Sequence, residues 1–276
     1  MRAASPPAVT VDIALADALT LLVARAGATI MAFAPGRLAI RPKADHSPIT
    51  AADEAADAVI AAGLRELLPG LPVVSEERFG AVAPPADGSF VLVDPLDGTK
   101  EFISGREDFT VNLAIITDRY PVAGFIAVPA RGLVYRGVAK RGAERVAVSG
   151  DAPTRGTPVA IRTRRAPAAG LVAAVSRSHF DAATEALLAR WPVVERTVAG
   201  SALKFCRVAE AAADVYPRLG RTCEWDIAAG HALVVAAGGV VTTASGEPLS
   251  YGHAEAAYAV EDFIAWGDPE AALRLR

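Results

Sequence analysis

Between residues 72 and 148 the sequence breaks into short apolar runs, at 72–75, 90–93, 109–117, 122–128, 132–138 and 144–148. Runs of this length, separated by turn residues, predict strands in a largely antiparallel sheet. Helical patterns precede them. One covers about Asp12 to Phe33. A second starts at Thr50, where "TAAD" offers a capping-box-like pair, Thr50 and Asp53, ahead of "EAADAVIAAGLRELL". From about residue 156 the texture changes. Strand-like "PVAIRT" and "LVAAVSR" alternate with helical "DAATEALLAR", "SALKFCRVAEAAA" and "EWDIAAGHALVVAA", which is the pattern of an α/β unit. The expected fold class is α/β. An α+β domain spans residues 1–155 and an α/β domain residues 156–276, divided at the loop "SGDAPTRGTP", and residues 1 to about 9 form a loose tail.

Several function classes are disfavoured. The chain has 276 residues, 52% hydrophobic and 21% charged, so a globular core is expected. A formal net charge of −3 argues against general nucleic-acid affinity. The cluster "RTRR" (Arg162, Arg164, Arg165) reads as a solvated strand end. Cys206 and Cys223 lack metal-ligand spacing and fit a reducing cytoplasm. Asp12, Asp17 and Arg25 interrupt any signal-peptide apolar core, and Gly238-Gly239 splits the uncharged segment 227–246 into a short helix and a buried strand. No transmembrane segment is expected.

The acidic residues stand at the ends of these elements. Glu76 and Glu77 follow "LPVVS", Asp94 and Asp97 follow "FVLV", and Asp226 opens a helix after "RTCEW". Each alone is ordinary turn or helix-start chemistry. Together they mean more. Pro95 and Leu96 hold Asp94 and Asp97 on one tight turn, Pro95 fixing φ, and Gly98 lets the backbone approach a ligand. Two carboxylates so placed repel each other unless a cation lies between them. A hard ion such as Mg²⁺ takes carboxylates and a backbone carbonyl, which Leu96 can supply, and no His/Cys cluster competes for a softer metal. A nucleophilic-aspartate phosphatase also carries an Asp…Asp-Gly-Thr run, but with one residue between the aspartates rather than two.

The stretch "VLVDPLDGTKEF" (Val91 to Phe102) resembles the aspartate signature of the lithium-sensitive, magnesium-dependent phosphomonoesterases, the superfamily that includes inositol monophosphatase. "KADHSPITAAD", "VVSEE", "EWDIAAGHALVVAAGG" and "GEPLSYG" follow the family's order, so the resemblance spans roughly residues 43–252. Within the superfamily, Lys100-Glu101, "SRSH" (Ser176 to His179), "GSALKFCRVAEAAADVYPR" and Glu224 before Trp225-Asp226 resemble the bacterial 3'(2'),5'-bisphosphate nucleotidase branch.

The resemblance implies a layered α-β-α-β-α sugar-phosphatase fold. It implies Mg²⁺-dependent hydrolysis of the 3'-phosphate of adenosine 3',5'-bisphosphate to AMP, and of the corresponding phosphosulfate, in sulfur assimilation. Glu76, Asp94 and the Leu96 carbonyl would bind one Mg²⁺; Asp94, Asp97 and Asp226 would bind a second. Glu77 would support these or a third, weaker ion. Thr99, paired with Asp53, would orient the attacking water.

The substrate, a small nucleotide bisphosphate, would touch Gly98, Lys100, Arg177, Ser201, Lys204 and Arg218, with Arg221 a further cation. Ser201 reads equally as a helix N-cap. His179 is a candidate nucleotide contact, whereas His46, His231 and His253 are structural or solvated, and Trp225 packs and aims Asp226. Homodimers and peripheral attachment to the inner membrane occur in the superfamily and are carried as expectations. An inositol or sugar phosphatase is the alternative substrate reading, and a catalytically silent nucleotide-binding regulator the alternative of another class. Departures from the branch at Gly220-Arg221-Thr222-Cys223, at Tyr251-Gly252-His253 and at Glu261-Asp262 touch no metal ligand and bear on nucleotide contacts.

Overall fold

The computed structural model describes residues 9–33, 41–42, 48–79, 88–150, 153–177 and 181–275. The chain begins with α1 (Ile13–Met31), the pair β1 (Arg41–Pro42) and β2 (Pro48–Ile49), and α2 (Ala51–Leu67). Next come β3 (Val73–Ser75), β4 (Ser89–Asp97), the short α3 (Thr99–Ile103), β5 (Thr110–Thr117), β6 (Tyr120–Val128), β7 (Leu133–Val138), β8 (Gly142–Ser149), β9 (Thr154–Arg155) and β10 (Val159–Ile161). The remainder alternates: β11 (Leu171–Ser176), α4 (Ala182–Leu188), β12 (Val193–Ala199), α5 (Leu203–Ala209), β13 (Val215–Arg218), β14 (Thr222–Cys223), α6 (Glu224–Ala236), β15 (Val240–Thr242), β16 (Ala259–Val260), β17 (Phe263–Trp266) and α7 (Pro269–Arg274).

Two sheets organise the molecule. The larger has the order β10-β8-β7-β6-β5-β4-β3, with β9 added to β8. All its pairings are antiparallel except β3 with β4. The smaller, β12-β11-β13-β17-β15, is mixed: β11 runs parallel to β12 and β13, while β17 is antiparallel to β13 and β15.

Side-chain alternation along the strands then builds five layers. Val91, Val93, Val111, Leu113 and Ile115 pack with Leu19, Leu22, Ile60 and Leu64 of α1 and α2. Phe90, Leu92, Ala114 and Ile116 face the other way, onto α5 and α6. The far side of those helices meets Ala174, Tyr216, Val241, Phe263 and Ala265 of the smaller sheet. Its outer face, with Leu171, Val215 and Trp266, is closed by Leu188 of α4 and Ala271 and Ala272 of α7. The expected α-β-α-β-α layering is what the chain adopts.

Helix α6 is the shared middle layer, and two glycines let it lie close on the larger sheet. A Cβ on Gly124 would come within 2.3 Å of the Ala229 carbonyl oxygen, and one on Gly137 within 2.5 Å of the Leu233 Cα. Such distances leave room only for hydrogen, so the helix start, and Asp226 with it, is registered against β6 and β7.

Some elements differ from expectation. "PVAIRT" yields β10, which pairs with β8 in the larger sheet instead of joining the second half. The expected boundary loop itself contains β9, hydrogen-bonded to β8, while Asp151 and Ala152 within it lie outside the described residues, as do residues 1–8 of the expected tail. Strand pairing acts at long range, and a three-residue run carries no mark of its partner. Helix α1 is long and apolar enough to cross a membrane, by length and composition. Its Leu19, Leu22, Val23 and Ile30 are instead buried against α2 and the larger sheet.

Candidate active site

Strand β4 ends inside the protein, and its irregular end makes the site. The register between β4 and β5 shifts between Asp94 and Asp97, which lets both carboxylates leave the strand in one turn. Asp94 is 1% exposed, and its Oδ1 accepts from the Leu96 N–H at 3.0 Å. Gly98 then takes φ 90°, a left-handed conformation that a side chain would strain, and α3 starts at Thr99. A Cβ at Gly98 would lie 2.1 Å from Ser201 Oγ, so the second half closes directly onto this turn.

Each acidic group is held by its own neighbours. Asp97 Oδ2 accepts from the Ala202 N–H at 2.7 Å, Asn112 Nδ2 at 3.2 Å and Thr110 Oγ1 at 3.3 Å. Asp226, three residues into α6, accepts from the Cys223 N–H at 3.1 Å and from the Thr222 hydroxyl. Glu76 stands on the turn after β3, where its N–H donates to the Val93 carbonyl at 3.0 Å. Asp53 belongs to the capping box of α2: its Oδ2 accepts from the Thr50 N–H at 2.9 Å and the Thr50 hydroxyl at 2.6 Å. Its other oxygen, Oδ1, accepts from Thr99 Oγ1 at 3.0 Å. Both readings of Asp53, helix cap and Thr99 partner, hold in one side chain.

The electrostatics join these groups. Burial, followed by the charges of Glu76, Asp97 and Asp226, holds the Asp94 carboxyl well above the usual carboxylate range. Burial and the Asp226 charge push Asp97 up to about 6, against the lowering effect of Lys204 and Asn112. Among the described residues no three His, Cys, Asp or Glu side chains form a ready-made coordinating array. The donor set nevertheless fits a hard divalent ion. It is all oxygen, largely buried and mutually repelling, with a backbone carbonyl beside it.

A cleft of about 600 Å³ brings the expected residues together. Glu76, Asp94, Leu96, Asp97, Gly98, Thr99, Lys100, Ser201, Lys204, Arg218, Arg221 and Asp226 line it. Lys204 is 2% exposed and donates to the carbonyls of Ser201 at 2.7 Å and Ala199 at 3.4 Å. Burial lowers its ammonium to about 8, partly offset by Asp97. Two expectations change. Ser201 is not an N-cap: α5 is preceded by Ala202 with no side-chain cap, and Ser201 Oγ donates to the Asp97 carbonyl at 2.9 Å. Arg177 is not among the cleft-lining residues; its guanidinium donates to Asp108 Oδ2 at 3.0 Å. His179, His46 and Lys43 lie outside the described residues. His231 is buried between the Tyr251 and Tyr120 hydroxyls, and His253 pairs with the fully buried Glu224.

Sequence reasoning missed the groups that hold these carboxylates. Asn112 sits opposite Asp94 in the β5 register, and Thr222 is four residues before Asp226. A polar Asn inside the apolar run "TVNLAIIT" was the available signal, since buried polar groups need partners. Asp108 was missed too; it accepts from Arg131, Arg177 and the Gly200 N–H, tying the halves together beside the cleft.

The described inositol monophosphatase family matches residues 13–268, and the chain belongs to that family. Its curated relatives narrow the comparison. It is 41% identical over 243 residues to the 3'(2'),5'-bisphosphate nucleotidase CysQ of Escherichia coli strain K12, covering 85% of this chain and 93% of the relative. Identity to the Salmonella typhimurium LT2 protein of the same name is 43% over 215 residues, covering 76% of this chain and 81% of that one. The crystal structure of CysQ from Bacteroides thetaiotaomicron superposes with a TM-score of 0.75 at 34% identity, covering 92% of this chain and 97% of that one. An inositol monophosphatase from Thermotoga maritima shares the fold, with a TM-score of 0.76 at 22% identity and coverage of 95% and 96%.

Proposed function

We propose that the chain is a magnesium-dependent 3'(2'),5'-bisphosphate nucleotidase, removing the 3'-phosphate of adenosine 3',5'-bisphosphate to leave AMP and phosphate. The observation that carries this reading is the pairing, in one cleft, of a buried carboxylate cluster with Lys100, Lys204, Arg218 and Arg221. The first suits a phosphoryl group bound through cations; the second suits further negative charge on the same small molecule. Similarity to the Escherichia coli and Salmonella nucleotidases supports the substrate class. A cytoplasmic enzyme that clears this by-product of sulfur metabolism is the corresponding setting, and Cys206 and Cys223 are both free thiols.

Glu76, Asp94, Asp97, Asp226 and the Leu96 carbonyl would hold Mg²⁺. Bound there, Mg²⁺ supplies charge neutralisation at the phosphoryl group and acidifies a water. The remaining work falls to the chain. Thr99 donates to Asp53 Oδ1, so its oxygen keeps lone pairs free to accept a proton of the attacking water. Asp53 is the proton's destination, with Oδ2 already engaged by Thr50 and Oδ1 directed at Thr99. Lys204 has three N–H donors and uses two on carbonyls, leaving one for a substrate phosphate. Phosphoryl transfer asks mainly for positioning and charge stabilisation, which this arrangement supplies.

Phosphate release from adenosine 3',5'-bisphosphate, its 5'-phosphosulfate analogue, inositol 1-phosphate and fructose 1,6-bisphosphate, with and without Mg²⁺, tests the reading. A Mg²⁺-dependent preference for the adenosine compounds is expected. Preference for inositol 1-phosphate would overturn the substrate choice. If wild type and Asp94→Asn bind nucleotide equally and neither releases phosphate, the chain is a binding regulator.

A further inference from the structure

We propose that Phe79 is the surface on which the nucleobase of the substrate stacks, and that it sets the preference for a nucleotide over a bare sugar phosphate; this rests on the functional reading above. Phe79 lines the same cleft as the carboxylate cluster, yet it is 50% exposed. A single exposed apolar side chain is ordinary on a protein surface. The surroundings of this one are not.

Its ring is one end of an aromatic row. The Phe79 centroid lies 5.2 Å from that of Trp225 at an interplanar angle of 41°, and Trp225 in turn lies 5.6 Å from Tyr258. Trp225 and Tyr258 are 5% and 2% exposed, so Phe79 alone in this row offers substantial surface to an incoming ring.

The backbone that presents it is held firmly. Asp57 of α2, 7% exposed, accepts from Ser75 Oγ at 2.7 Å. Its carboxylate also takes both Arg78 Nε at 2.6 Å and the Arg78 terminal nitrogen at 3.1 Å. The Arg78 N–H closes the turn onto the Ser75 carbonyl at 3.0 Å. One clamp therefore fixes the turn that carries both Glu76 and Phe79, so binding orders little new structure there.

Position completes the argument. Phe79 is three residues beyond Glu76, and its ring rests on the residue beside Asp226. An apolar planar surface thus shares one cleft with the carboxylate cluster and the cationic side chains. A nucleoside bisphosphate carries its flat base one sugar away from the phosphate that is cleaved. A cyclitol phosphate has no such group and gains nothing from the ring.

The test compares Phe79→Ala and Phe79→Trp with wild type, using adenosine 3',5'-bisphosphate as substrate. An abasic analogue, 1,4-anhydroribitol 3,5-bisphosphate, serves as competitor, so its own turnover is not required. Phe79→Ala is expected to raise KM for the nucleotide on the order of tenfold, to change kcat little, and to leave the competitor's Ki within about twofold. Phe79→Trp restores the low KM. The proposal is overturned if KM and Ki rise together, if kcat falls at constant KM because Trp225 and Asp226 have moved, or if nothing changes. Wild type that cleaves inositol 1-phosphate but not the nucleotide defeats the functional reading itself, a result separable from these.

Discussion

Thr99 Oγ1 sits between two acceptors, Asp53 Oδ1 at 3.0 Å and the Leu96 carbonyl at 3.2 Å, and its one proton serves only one of them at a time. Thr99→Ala removes that choice. It is expected to lower kcat by about 10²–10⁴-fold with KM nearly unchanged, while Thr99→Ser keeps most of the rate, as steady-state phosphate release will read. Asp53→Asn is a poorer probe, because the Thr50 cap depends on the same carboxylate and its loss costs about 1 kcal/mol of stability. Lys204 gives a pH signature. Its ammonium is lowered to about 8 by burial, so kcat/KM for the bisphosphate should fall as pH rises past about 8. The stability contribution runs the other way. Between about 8 and its ordinary 10.5 the unfolded chain binds the proton that the folded chain has lost, so this residue adds stability as pH rises. Lys204→Met should abolish the alkaline limb of the activity profile and leave a lower plateau.

Helix α6 carries the site from one sheet to the other, and its seat on Gly124 and Gly137 is where the element is most easily broken. Gly124→Ala would drive a methyl into the Ala229 carbonyl, 2.3 Å away. The expected loss is about 1–3 kcal/mol in urea unfolding, together with reduced kcat as Asp226 is displaced. Elements such as α2 and α6 could be read from the sequence because their signals are local: Thr50 and Asp53 are three residues apart, and α6 carries no Asp, Glu, Lys or Arg after Asp226. The turn from Asp94 to Thr99 was legible for the same reason, through Pro95 and Gly98. What could not be read were pairings between distant segments. Asn112 on Asp97, Arg177 on Asp108 and β10 on β8 depend on how sheets and halves come together. No residue in "PVAIRT" or "SRSH" announces its partner.

The complete molecule concentrates like charges where its layers meet, and its stability should report that. Asp97 is raised from 3.8 to about 6, so with a chelator present the folded state binds more protons than the unfolded one across that window. Its contribution is full below 3.8 and is lost as pH rises through about 6. In chelator-treated protein, Asp94→Asn should therefore unfold at a higher temperature than wild type at neutral pH, because the cost of burying an ionisable carboxyl among Glu76, Asp97 and Asp226 is gone. Added Mg²⁺ should reverse the order: wild type gains about 2.7 kcal/mol at one hundred times Kd, and the variant gains much less. Scanning calorimetry with and without the ion checks both halves, and a variant that is stabilised as strongly as wild type would remove Asp94 from the ligand set.

The position of α6 in the chain also bears on how the protein is made. Synthesis delivers the larger sheet through β10 at residue 161, well before residue 224 opens the helix that covers its inner face. At roughly 5–20 residues per second, Phe90, Leu92, Ala114 and Ile116 wait for seconds without their partner layer. A ribosome stalled between those two points would hold an apolar sheet with no lid, the kind of surface that chaperones bind.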